Sequence, residues 1–291
     1  MNGGDDSNDD PAELQPEPQT PGQAMVRNVV AQFRRPDFKP PVLPATAIEL
    51  LELSRKPDVT FAAVRVVVER DPVIVARVLQ LAQSSYYARG AKVKTLHDAM
   101  LRLGLVTLGQ VFFEASVASR LFRAQGYDNE MEMLRRHSVA TGRIARILAR
   151  RCSVPDENAF LAGILHDIGL AAAMIVIVSV PRGTVVPSFA EAFPLIVEAH
   201  TTIGEQLCRA WKLPDPVIAA VAGHHTPPGA ASSERLSRVI QLADDISTKL
   251  GAGLPHGGRT EPDPDQFAAL GIAPAMQVVI MAEAKLSIEG A

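Results

Sequence analysis

Aromatic residues are scarce in this sequence, at 5% with a single Trp. Proteins that hold single-stranded nucleic acid stack its bases on aromatic rings, so that class is disfavoured. Charge of one sign is also lacking. Lys and Arg number 29 against 32 Asp and Glu, for a net charge of −3 and a pI near 6.2. No global basic field draws the chain to nucleic acid or acidic lipid. Cysteine is nearly absent: Cys152 and Cys208 lie far apart, and each is expected to be a small buried apolar residue rather than half a disulfide. The first residues lack the basic-then-apolar pattern of a secretory leader. The most apolar run, Leu161 to Val180, carries His166 and Asp167, and a membrane span there would place a carboxylate in lipid. A core helix followed by an apolar segment is expected instead, in a cytoplasmic protein with neither membrane nor nucleic acid as partner.

What is present is helical periodicity. Residues 1–23 are acidic and proline-bearing with almost nothing apolar, which predicts a disordered tail. A short amphipathic helix is expected from Ala24 to Arg35. Beyond Pro44, Ile48, Leu51 and Leu53 form a short apolar face, and Asp58 or Thr60 can cap a helix through Phe61, Val64 and Val68. Asp71-Pro72 starts the next helix, with the stripe Ile74, Val75, Val78, Leu79 and Ala82. Thr95 caps another that stops at Gly104, and a long helix covers Leu108 to Phe122. Further helices are expected near 131–151, 157–170, 189–211, 215–225 and 233–250, a loop over 251–263, and a last helical pair over 264–288. Only Ile175 to Val180 has strand character. The chain therefore reads as all-α: an N-terminal helical half (24–125), a second half (126–250), and a loop with a C-terminal helical extension (251–291).

Five of the seven histidines fall between His137 and His225. His137 shares a stripe with Leu134, Thr141, Ile144 and Leu148, and His200 shares one with Ile196, Ile203 and Leu207. His224 and His225 follow Val217 and Val221 on a helix begun by Asp215-Pro216. Residues three, four and seven apart share one side of a helix, so these imidazoles point inward. His166 lies with Ala159, Ala162 and Gly163, a small face that admits another backbone. Asp244 continues Leu236, Ile240 and Ala243 inward, while Asp245 falls outward with Arg238, Gln241 and Lys249. His97-Asp98, at a helix start without companions, reads as structural, and His256 as a loop residue.

Five inward imidazoles and two inward carboxylates need compensating charge, and no Lys or Arg shares their faces. A divalent cation supplies it, and imidazole with carboxylate suits Fe, Mn, Zn or Ni. The donors suffice for one or two ions, with Asp167 placed to bridge. Against this stands the ordinary reading of each histidine as a hydrogen-bonded core or helix-end residue.

At these residues the chain resembles the HD superfamily of metal-dependent phosphohydrolases, through His137, His166-Asp167 and Asp244 in order. His166-Asp167-Ile168-Gly169, His200 with Ile203-Gly204, and His224-His225 are similar to the longer ligand set of the HD-GYP phosphodiesterases. The first half resembles the HDOD branch: Leu43-Pro44, Asp71-Pro72-Val73, Leu79 through Tyr86, Ala99 through Gly104, and later Trp211-Lys212-Leu213-Pro214. The resemblance implies an HD-like helical bundle with an N-terminal helical subdomain. It also implies one metal on His137, His166, Asp167 and Asp244 and a second on His200, His224 and His225. Where HD-GYP proteins have a lysine after the HDIG motif this chain has Leu170. Thr226 and Pro227-Pro228-Gly229 replace Glu and the GYP motif, and Gln83 stands where HDOD proteins usually have Asn.

Two functions follow from the resemblance. One is a regulatory output module in signal transduction, binding a signalling protein or a nucleotide around a retained metal site. The other is an active metal-dependent phosphohydrolase on a nucleotide or cyclic nucleotide. A purely structural metal, stapling helices together, lies between them. Arg136, Arg143 and Arg209 fall off the ligand stripes, which leaves few cations to hold a phosphate and favours regulation.

Overall fold

The computed structural model of the chain describes residues 20–35, 37–38, 49, 53, 58–70, 72–84, 86–87, 93–181, 183–226, 235–254, 259 and 261–289. The acidic tail up to residue 19, the Leu43-Pro44 motif, most of the Ile48 to Leu53 face, the 227–234 segment and His256 lie outside them. Among the described residues every regular element is helical.

The first helix, α1 (Pro21–Phe33), begins three residues earlier than its apolar pattern suggests. Thr20 closes a capping box with Gln23, and Pro21 suits the first turn because its missing N–H would have had no helical partner. Its buried stripe, Val26, Val29 and Phe33, packs with the residues of the second half. α1 therefore belongs to that core and not to the N-terminal half in which its sequence position put it.

The first core is small. It joins α2 (Phe61–Val68), capped by Thr60, to α3 (Pro72–Gln83) and the start of α4 (Leu96–Leu121), through Val64, Val68, Ile74, Val78, Met100 and Leu108. Thr95 and Asp98 form the capping box of α4, which confirms the structural reading of Asp98. Gly104 breaks α4 instead of ending it. Its φ of 76° is one that L side chains rarely adopt, and helix resumes immediately after.

The second core is larger and is built from α5 (Asp128–Ala149), α6 (Asp156–Leu165), α7 (Ile168–Val178), α8 (Phe189–Ala210), α9 (Asp215–Gly223) and α10 (Arg235–Ser247). A π-helical turn, Thr248–Ala252, extends α10 into what reads in sequence as loop, and α11 (Pro264–Ala269) and α12 (Pro274–Glu289) follow. The 157–170 region is two helices, broken at His166-Asp167. Ile175 to Val178, with its cluster of β-branched residues, ends α7 and is not a strand. A helix buried almost all round has no amphipathic period, so its sequence cannot declare its type. Together α6 and α7 are long and apolar enough to cross a membrane by length and composition, yet 83% of their most apolar window is buried in protein. Both cysteines are buried and free.

The halves are joined by a buried carboxylate. Glu114 on α4, 4% exposed, accepts from Arg77 on α3 at 2.9 Å and from Arg143 on α5 at 3.0 and 3.2 Å. Arg143 also donates to the Ser287 carbonyl on α12 at 2.9 Å. Burial alone would raise the Glu114 pKa, but Arg143 and Arg77 hold it below its ordinary 4.5. Removing one partner of such a group leaves charge unpaired in the interior. Glu114→Gln is expected to cost about 3–5 kcal/mol in denaturant unfolding. Because the folded pKa is depressed, the stabilisation is complete above the ordinary value and is lost as pH falls through the folded one. The gap between wild type and variant should therefore narrow in acid.

Candidate metal centre

Two close helix approaches build the site. A Cβ on Gly163 of α6 would lie 2.6 Å from the Gly142 Cα on α5, so these helices touch backbone to backbone. A Cβ on Gly169, in the first turn of α7, would lie 2.0 Å from the His200 carbonyl oxygen on α8. Glycine is required at both places by space. The small face read from Ala159, Ala162 and Gly163 serves this purpose. His166 and Asp167 occupy the break between α6 and α7, where Asp167 leaves helical geometry at φ −101°, ψ 14°.

Each of four imidazoles is oriented by a backbone carbonyl. Nδ1 of His166 faces Gly163 O at 2.8 Å, that of His224 faces Val221 O at 2.8 Å, that of His137 faces Ala252 O at 3.1 Å, and that of His200 faces Val197 O. A carbonyl oxygen only accepts, so Nδ1 carries a proton in each ring, and Nε2 is the position that can take a second proton or a cation. These Nε2 atoms converge. His137 and His166 approach to 3.1 Å, and His200 and His224 to 3.2 Å. Asp167 stands between the pairs. Its Oδ2 lies 3.3 Å from His166 and 3.6 Å from His137, and its Oδ1 lies 3.3 Å from His200 and 3.6 Å from His224. Asp244 Oδ1 is 3.2 Å from His137 Nε2. His225 closes the set at the exposed rim, its ring 4.1 Å from that of His224 and 5.1 Å from that of His200.

The structure thus brings all seven sequence-read residues together: His137, His166, Asp167, His200, His224, His225 and Asp244. Their donor atoms fall into two groups sharing Asp167, one with His137 and His166, the other with His200, His224 and His225. Opposed lone pairs repel unless a proton or a metal cation lies between them. Nitrogen and oxygen donors about 2.0–2.1 Å from a transition metal stand roughly 3.0–3.4 Å apart around it, which the separations here approach. The donor set fits a divalent cation.

Electrostatics agree. Burial would lower the His166 pKa, but Asp167 and Asp244 override it and raise it to about 9. Burial would raise Asp167, yet His166, His224 and His200 hold it well below 3.8. Asp244 is lowered by His137 and His166 against its own burial. His200 is lowered, chiefly by burial. Without a metal, the two carboxylates hold a proton on His166: the site demands positive charge.

Asp245 does not face solvent as its helical register suggests. It is 4% exposed, because Arg259 and the buried Gln266 of α11 close over that side of α10, and burial together with Asp244 raises its pKa to about 6. Two hydroxyls support His137: Thr141, which shares its stripe in the sequence, and Ser247, which the ligand pattern alone does not single out. Thr141 donates to Ser247 at 3.1 Å, and the Ser247 hydroxyl lies 3.1 Å from His137 Nδ1. Thr141 follows His137 by four residues and Ser247 follows Asp244 by three, so both were detectable on the ligand faces. The Ala252 carbonyl was not, because the π turn that places it has no sequence signature.

A cleft of about 190 Å³ opens onto both donor groups, walled by Leu170, Phe193, Val197, Thr248 and Leu254.

An all-helical domain with a buried His/Asp cluster, reached by a surface cleft, defines the class. The profile of the HDOD domain matches residues 41–227, and the chain belongs to the HDOD family. An uncharacterized protein of Treponema pallidum (strain Nichols) is 24% identical over 201 residues, 65% of this chain and 38% of that one. Ribonuclease Y of Acetivibrio thermocellus is 28% identical over 155 residues, 53% of this chain and 22% of the enzyme. The chain thus spans well under half the length of either relative. The crystal structure of a Shewanella amazonensis SB2B protein, provisionally named a metal-dependent phosphohydrolase, superposes with a TM-score of 0.72 at 19% identity, covering 92% of this chain and 98% of that one.

Two outcomes follow. Gly169→Ala should destabilise the fold by at least about 1–3 kcal/mol in thermal or denaturant unfolding, because a backbone carbonyl must move. Metal uptake should be proton-linked. His166 is protonated below pH 9 in the metal-free site, so binding must displace that proton, and affinity should rise about tenfold per pH unit up to that value. Calorimetric titration in buffers of different ionisation enthalpy reads the released proton directly.

Proposed function

We propose that the chain is a regulatory HDOD module of signal transduction that holds a pair of divalent cations. His137, His166, Asp167 and Asp244 take one ion, and His200, His224 and His225, with the second oxygen of Asp167, take the other. The observation that carries this reading is the convergence of four Nε2 atoms on a single carboxylate. Fe, Mn and Zn suit the imidazole and carboxylate donors. A signalling protein as partner and the cytoplasm as compartment belong to this reading.

A second reading is an active phosphohydrolase, favoured by the cleft that opens directly onto both donor groups. Bound divalent cations would supply Lewis acidity and a nucleophile at neutral pH. An RNA substrate of the kind that the name Ribonuclease Y implies is disfavoured, because among the described residues no lysine or arginine lines the cleft and the net charge is −3.

Elemental analysis of protein purified without chelator, beside Asp167→Ala, tests the proposal. About two equivalents of Fe, Mn or Zn in wild type, with most lost in the variant, is the expected result. No metal after purification and none taken up on titration would sink both readings. Turnover of a chromogenic phosphodiester by the loaded wild type, abolished with the metal, would select the hydrolase.

A further inference from the structure

The walls of the cleft carry information that its metal donors do not. Leu170 at its floor is 2% exposed and Phe193 is 5% exposed, while Val197 and Leu254 are half-buried at its sides. The charged or ionisable lining groups are Asp167, Asp244, His137, His200 and His225, all within the candidate donor set. Among the described residues no lysine or arginine lines the cleft. Lys249, next in sequence to the lining residue Thr248, pairs with Glu261, and Arg259 pairs with Asp263. The adjoining stretches 226–234 and 255–258 contain neither lysine nor arginine in sequence.

These facts constrain a ligand by charge and by size. An anionic group is best held at the metal donors, because a second one further out would meet carbon and the single hydroxyl of Thr248, with no cationic side chain among the described lining residues. A polyphosphate or a dinucleotide presents such a second group. A volume of about 190 Å³ also falls below the roughly 300 Å³ at which pockets for drug-sized ligands begin. The remaining wall surface rewards an apolar body packed against Phe193, Val197 and Leu254.

We infer that the cleft takes a small organic oxyanion with a single anionic head and an apolar body about the size of a phenyl ring, and not a nucleotide. The head is directed to the metal donors and the body to the Leu170, Phe193, Val197 and Leu254 wall. This rests on the proposed metal site and deepens it by naming the ligand class.

The test is calorimetric titration of the full-length, metal-loaded protein, with its metal content measured in the same sample. The probes are inorganic phosphate, phenylphosphonate, benzoate, AMP and ATP. Phenylphosphonate should bind at least about tenfold more tightly than inorganic phosphate, from burial of its ring. AMP and ATP should bind no more tightly than phosphate. Benzoate distinguishes the head: binding comparable to phenylphosphonate supports a carboxylate ligand, and much weaker binding supports a phosphoryl one. Leu254→Ser, at a half-buried position, should reduce the ratio of phenylphosphonate to inorganic phosphate affinity severalfold at equal metal content. A loaded protein indifferent to the phenyl group, or one that prefers ATP, overturns this inference alone. A protein that takes up no metal overturns the metal proposal and this inference with it.

Discussion

The site depends on one constraint: four imidazoles are turned by backbone carbonyls so that their Nε2 atoms meet around one carboxylate. Everything near the centre serves that arrangement. Gly142 and Gly163 let α5 and α6 touch, which sets His137 against His166. Gly169 lets α7 start against the His200 carbonyl, which places Asp167 between the two histidine pairs. The carbonyls of Gly163, Val221 and Val197 each belong to the same turn of helix as the histidine they orient. Only His137 borrows its carbonyl from a distant segment, at Ala252. The π turn after α10 has a structural purpose there, since a regular helical continuation would carry that carbonyl elsewhere.

α5 links this centre to the rest of the molecule. It carries His137 at the metal centre and, less than two turns later, Arg143, which holds Glu114 of the N-terminal half and the Ser287 carbonyl of the C-terminal helix. A helix cannot shorten between two such anchors without losing hydrogen bonds. The position of the first core is therefore tied to the ligand-bearing core through a rigid element and a buried ion pair. α1 strengthens the second core independently, by returning from the N-terminal side to pack on α7 and α8.

Much of this was legible in the sequence, because helical periodicity and inward-facing histidines obey a simple geometric rule. The stripes through His137, His200 and Asp244 predicted burial, and the structure buries all three residues. Small residues beside His166 signalled a close helix crossing, and one exists. The misses have separate physical causes. The break at His166-Asp167 lies within an apolar run where no polar face marks a helix end. α1 looked like part of the N-terminal half because sequence order does not reveal which core an amphipathic face will join. Asp245 was placed outward correctly relative to its own helix, but the cover supplied by Arg259 and α11 is tertiary and cannot be read from local spacing. The cleft walls were missed because Phe193, Val197 and Leu254 resemble ordinary core residues until the metal donors beside them are in place.

The energetics of the centre argue against an incidental cluster. Two buried carboxylates and a group of imidazoles are costly in a core that apolar side chains of similar volume would fill more stably. A single proton on His166 offsets only one of the two negative charges. Divalent cations offset both and also satisfy the opposed lone pairs, so the same residues that destabilise a metal-free core become cross-links in a loaded one. Among the described residues, no lysine or arginine lines the cleft, and Leu170 does so at the position where the resemblance to HD-GYP proteins implies a lysine. The donor set fits divalent cations, while the described lining residues include no cationic side chain to grip a second phosphate. Through α5 and the Glu114 ion pair, that donor set is joined to the other half of the molecule.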